Sequence, residues 1–78
     1  IISVDELFED YVKVWMKKEF DVVVHNGNRI QKRMFEQKLD SNAERLRVYD
    51  SENTFIGIFE YSKERNDYKP VKMFYENN

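Results

Sequence analysis

Leu46-Arg47-Val48-Tyr49, Asp50-Ser51-Glu52-Asn53 and Thr54-Phe55-Ile56-Gly57-Ile58-Phe59-Glu60-Tyr61 follow one another without interruption. The first stretch alternates apolar and polar residues, the second is a polar turn, and the third is rich in β-branched and aromatic side chains. Together they read as two antiparallel strands. Gly57 inside the second strand predicts a bulge or a close approach of another backbone. Downstream, Lys63 to Asp67 is a charged turn, and Pro70-Val71-Lys72-Met73-Phe74-Tyr75 is a last strand. Pro70 is expected at its start, where a missing donor is tolerated. The second half of the chain is therefore an antiparallel meander, which we expect to curl into a partly closed barrel.

Upstream the pattern changes. Residues 31–45 are polar and mixed, with Met34, Phe35 and Leu39 as isolated anchors and Asp40-Ser41-Asn42 as a turn signal. Phe20-Asp21-Val22-Val23-Val24-His25 before Asn26-Gly27 admits two readings. It can be a strand entering a two-residue hairpin turn, which three successive valines favour. It can also be a helix with Phe20, Val23 and Val24 on one face, closed by Gly27 in the left-handed conformation. Val12 to Met16 alternates as a strand would, although Trp15 also continues a helical stripe. Ser3-Val4-Asp5-Glu6 forms a capping box, with Ile2 and Leu7 placed as its hydrophobic staple. Val4, Leu7, Phe8 and Tyr11 follow at helical spacing, so a short helix is expected over 4–11.

Composition bounds the function. At 78 residues with 41% hydrophobic content, the chain can bury only about 60% of its unfolded surface, enough for one compact core. Cysteine is absent and there is one histidine, so neither a disulfide framework nor a thiolate zinc site is expected. With two glycines there is no phosphate-cradling glycine loop. No apolar run approaches the length that spans a bilayer, and we expect a cytoplasmic protein without membrane, metal or cofactor. The net charge is −2, so nucleic-acid contact would need a local basic patch. Because the chain opens on Ile1-Ile2, we expect residues 1–78 to be a single domain cut from a longer protein, or a processed chain.

Three segments carry a resemblance. Leu46-Arg47-Val48-Tyr49-Asp50, Phe55-Ile56-Gly57-Ile58 and Lys69-Pro70-Val71-Lys72-Met73-Phe74 resemble, in order and spacing, the end of the B-family tRNA pseudouridine synthases of bacteria. His25-Asn26-Gly27-Asn28-Arg29-Ile30 is similar to a short element upstream of it in that family. The resemblance covers residues 25–74. Phe59-Glu60 departs from it, standing where the family often has Gly-Glu, and the Lys63–Asp67 turn is longer than the family's.

The resemblance implies a small α+β, PUA-like pseudo-barrel with one or two short helices in its first half. It implies that the element at Asn26-Gly27 closes a helix over about 17–25. It further implies an accessory tRNA-binding domain, touching the T-arm and acceptor region and packed beside an N-terminal catalytic domain. That catalytic domain would convert a T-loop uridine to pseudouridine with one aspartate and no cofactor. Nothing here matches the family's catalytic motif. Asp5, Asp10, Asp21, Asp40, Asp50 and Asp67 all lie in capping, turn or surface contexts, so the chain itself is expected to be no enzyme. The alternative is a structural module that packs on the catalytic domain with little RNA contact.

For binding, the densest basic cluster is Arg29, Lys32 and Arg33. Arg47, Lys69 and Lys72 are further candidates for holding RNA phosphates by charge and hydrogen bonding. Phe55, Phe59 and Tyr61 share one face of a regular strand and suit either a core or a base-stacking platform, the core being the simpler reading. Tyr49, Tyr68 and Tyr75 are expected to be partly exposed. His25 is expected near a helix C-terminus, where the helix dipole suits it.

Overall fold

The computed structural model describes residues 4–39 and 43–76. Four strands form one sheet in the order β1 (Val12–Trp15), β2 (Arg45–Tyr49), β3 (Phe55–Ser62) and β4 (Asp67–Met73). The expected meander is present, since β2 pairs with β3 and β3 with β4, both antiparallel. The alternating stretch at 12–16 is indeed a strand. It runs parallel to β2, with Val14 opposite Val48. A parallel neighbour needs a crossover, and the segment between β1 and β2 supplies it.

That crossover resolves the ambiguous stretch. Lys18–Phe20 is a 3-10 turn that runs straight into helix α1 (Asp21–His25). Gly27 follows with φ +70°. The Asn28 amide donates to the Val23 carbonyl at 3.2 Å and the Gly27 amide to Val24 at 3.0 Å, which is the Schellman closure. Val24 is buried, Phe20 and Val23 pack against the core, and Val22 faces water. At the sheet end, the Asp21 carboxylate accepts from the Ser51 amide at 2.9 Å, tying the helix to the β2–β3 turn.

The sheet is closed by a piece of chain with no regular strand of its own. Ile30 exchanges backbone hydrogen bonds with Tyr68 of β4, at 2.9 and 2.8 Å. Phe35 then bridges Met16, just beyond β1. Residues 30–35 thus span from one sheet edge to the other and complete the pseudo-barrel. Inside lie Val14, Met16, Val24, Ile30, Phe35, Leu46, Val48, Ile56, Phe59 and Tyr68. Phe59, where the family often has glycine, fills this core completely shielded from solvent.

Several local expectations are corrected. The N-terminal element is a 3-10 turn over Val4–Phe8 rather than a helix to residue 11; Ile2 and Ser3 of the staple and capping box, like the Asp40–Asn42 turn, lie outside the described residues. Pro70 stands in the middle of β4, not at its start, opposite Phe59 where the register shifts. β4 is an edge strand, so the missing donor leaves no ladder bond broken. Tyr49 and Tyr68 are buried rather than partly exposed. Phe55 does not share a face with Phe59 and Tyr61, because the register shift at Val48/Tyr49 turns it to the outside, opposite Tyr49. No helix among the described residues is long and apolar enough to cross a membrane.

One core group is unsatisfied. The Tyr68 hydroxyl is buried and has no hydrogen-bond partner among the described residues, and burial pushes its pKa above the usual phenol value, with Tyr61 adding to the effect. An unmet buried donor costs about 1–3 kcal/mol. Tyr68→Phe is therefore expected to stabilise the domain by about 1 kcal/mol, seen as a higher midpoint in urea denaturation. A lower midpoint would mean that the hydroxyl is satisfied after all.

Candidate nucleic-acid interface

Two turns distant in sequence meet at one end of the barrel. Gln31, Lys32 and Arg33 come from the closing segment, where Lys32–Met34 forms a 3-10 turn. Arg65 and Asn66 come from the β3–β4 turn, which the Ile30–Tyr68 bridge draws alongside. These five residues line a shallow groove of about 320 Å³. Asn66 takes a left-handed conformation, φ 53°, which asparagine tolerates. Its side-chain carbonyl accepts from the Tyr61 hydroxyl at 2.8 Å, holding the turn in place.

The cations of the groove are available. Lys32, Arg33 and Arg65 are exposed and form no ion pair among the described residues. Arg33 is oriented without being neutralised: its Nε donates to Gln31 Oε1 at 2.9 Å, and the guanidinium lies 5.3 Å from the centre of the Phe20 ring. Such a concave cluster of amide and cationic donors matches the charge and acceptor oxygens of phosphates.

Arg29 stands beside the groove in another role. It grips Asp67 in a fork, Nε to Oδ2 at 2.9 Å and Nη2 to Oδ1 at 2.7 Å. The Arg29 hydrogen bonds hold the Asp67 carboxyl below its usual range against the opposing effect of burial, helped by the charges of Arg29 and Arg65. Asp67 is thus buried and paired, not the solvated turn residue that the sequence suggested. A carboxylate with a depressed folded-state pKa stabilises the fold above its unfolded value, about 3.9, and loses that contribution as pH falls through the folded value. Urea midpoints of the wild type are therefore expected to fall more steeply than those of Asp67→Asn below about pH 4. Parallel curves for the two proteins would refute the pairing.

The remaining candidates lie elsewhere. Lys69 and Lys72 project from the outer face of the sheet. Lys69 approaches Glu60 at 3.9 Å, and Lys72 lies 5.5 Å from the Phe74 ring centre. Arg47 is only 8% exposed. Its Nε donates to the Tyr11 carbonyl at 2.8 Å and its Nη2 to the Glu9 carbonyl at 3.3 Å, so it fastens the N-terminal segment across the sheet. Sequence inspection missed Arg65, which looked like one charge in a solvated turn. The unusual length of that turn was the available signal.

Histidine chemistry is also accounted for. His25 ends α1 as expected, but its Nε2 sits 2.9 Å from Asp50 Oδ2 and its ring stacks on Tyr75 at 4.4 Å. Asp50 is 2% exposed rather than solvated, and its Oδ1 accepts from the amides of Glu52 and Thr54. The pair braces the β2–β3 turn. Among the described residues, no three His, Asp or Glu side chains converge as metal ligands would.

No protein-family profile matches the chain. Over 77 residues, 95% of its length, the chain is 44% identical to tRNA pseudouridine synthase B of Lachnoclostridium phytofermentans. It spans 25% of the length of that relative.

Proposed function

We propose that this chain, kin over nearly its whole length to one quarter of a B-family tRNA pseudouridine synthase, is the accessory tRNA-docking domain of such an enzyme. The observation that carries the reading is the groove of Lys32, Arg33 and Arg65, cations gathered from two turns and in no ion pair among the described residues, in a protein of net charge −2. Catalysis, the conversion of a T-loop uridine to pseudouridine, belongs to the remainder of the parent enzyme, a cytoplasmic protein. The domain grips phosphates of the T-arm and acceptor stem and adds to the affinity of the catalytic part by effective concentration.

The test is a titration of the domain into labelled tRNA at low and moderate salt, with and without charge reversal of Lys32, Arg33 and Arg65 to Glu. Binding by the wild type should weaken steeply with salt. The reversed variant should bind at least about a hundredfold more weakly at low salt and lose about three units of salt slope, one for each phosphate contact. Equal slopes for the two proteins would remove the groove from the RNA. Absence of wild-type binding even at low salt would favour a domain that mainly supports the catalytic half.

A further inference from the structure

Away from the groove, on the outer face of the sheet, aromatic rings form a continuous ladder. Trp15 on β1 stacks on Tyr49 of β2, with centres 5.3 Å apart. Tyr49 meets Phe55 of β3 at 5.4 Å, and Phe55 stacks on Phe74, just past β4, at 5.3 Å. Phe74 then meets Phe8 at 5.9 Å. Tyr49 is buried, but Trp15, Phe55, Phe74 and Phe8 all keep part of their rings in water. None of these rings belongs to the barrel core; Phe8 and Phe74 also hold the N-terminal segment on the sheet.

The charge around the ladder is one-sided. Lys13 Nζ stands 5.6 Å from the Tyr49 ring centre, and Lys72 Nζ 5.5 Å from that of Phe74. The exposed cations on this face of the strands are Lys13, Arg45, Lys69 and Lys72, while Arg47 is buried beneath the N-terminal segment. Its carboxylates are neutralised: Glu60 lies between Arg45 at 3.3 Å and Lys69 at 3.9 Å, and Asp67 is held by Arg29. Partly exposed rings crossing a sheet with lysines beside them offer stacking surfaces for bases and positive charge for the linking phosphates.

We propose that this face is a second RNA-contact surface, which stacks unpaired bases of single-stranded RNA on Trp15, Phe55 and Phe74 while Lys13 and Lys72 hold the phosphates. The idea rests on the docking role proposed above and extends it to a different part of the RNA. The groove lies at the Ser62–Asp67 end of the sheet and the ladder at the Phe55 end, so β3 separates them by about 20 Å. One RNA could therefore present a duplex to the groove and an unpaired strand to the ladder.

Trp15 is the single tryptophan of the chain and reports on the surface directly. The experiment titrates the domain with single-stranded oligoadenylate, and separately with an RNA duplex, reading indole emission and anisotropy of the labelled RNA. The single strand should quench Trp15 saturably and the duplex should not. Phe74→Ala should weaken the quenching about tenfold, the worth of one stacked base. Lys13→Glu with Lys72→Glu, both exposed and free of any packing role in the core, should weaken it similarly. The Lys32, Arg33 and Arg65 reversal should leave the quenching in place while lowering anisotropy with the duplex, so a failure of the groove is distinguished from a failure of the ladder. No quenching, equal quenching by duplex, or quenching untouched by the lysine reversals would overturn the proposal. The first of these is also the result expected if the ladder instead docks on the rest of the enzyme.

Discussion

Gly57→Ala is expected to cost the domain about 3 kcal/mol or more, the upper end of what overpacking does. A methyl group built on Gly57 would stand 2.3 Å from the Lys72 carbonyl oxygen and 3.1 Å from the Met73 Cα. Both obstacles are backbone, so no side-chain rotation relieves them. The strands β3 and β4 would have to part where Gly57 faces Met73, next to the register shift. A domain of this size is stable by roughly 4–12 kcal/mol, so much of the protein would populate unfolded or partly open states. Gly27→Ala is the control. There φ is +70°, but the nearest atom to an added methyl is the flexible end of Met73 at 3.9 Å. Its cost should be the backbone penalty alone, about 1 kcal/mol. Denaturation midpoints that fall equally at both positions would sink the argument from close approach.

Arg47→Met should cost about 2–3 kcal/mol while leaving the salt dependence of tRNA binding as it was. The loss comes from two carbonyls, those of Tyr11 and Glu9, left without the guanidinium that now satisfies them, since hydrogen bonds to a charged group are worth about 1.5–3 kcal/mol. The aliphatic part of methionine keeps the packing, which isolates the polar contribution. The N-terminal segment should also loosen and become the first site of limited proteolysis. Arg47→Lys is not expected to rescue, because a single ammonium cannot reproduce the fork. Unchanged stability together with a reduced salt slope would instead place Arg47 against a phosphate, as its sequence alone suggested.

Both predictions concern residues whose sequence signal was half readable. Gly57 announced a bulge or close approach because glycine inside an apolar strand has few other uses, but its partner, the Lys72 carbonyl, could not be named. Arg47 looked like any charged residue at an alternating position. What buries it is the segment Phe8 to Tyr11 lying across the sheet, and Phe8 is held there by Phe74, far along the chain.

The sequence by itself determined the local elements: β2, β3 and the turn between them, the alternation at 12–16, and the family resemblance that places a helix before Asn26-Gly27. These are legible because strand alternation and turn chemistry depend on neighbours a few residues away. The helix over the valines already lies beyond local propensity. It survives because its apolar face covers the core and Asp21 is tied to Ser51. Only the tertiary structure decided that β1 lies parallel to β2, that residues 30–35 close the barrel, that Arg65 joins Lys32 and Arg33, and that Phe55 turns outward onto a cationic face. Each of these depends on contacts between residues far apart in the chain, and a register shift of one position reverses which side a residue faces.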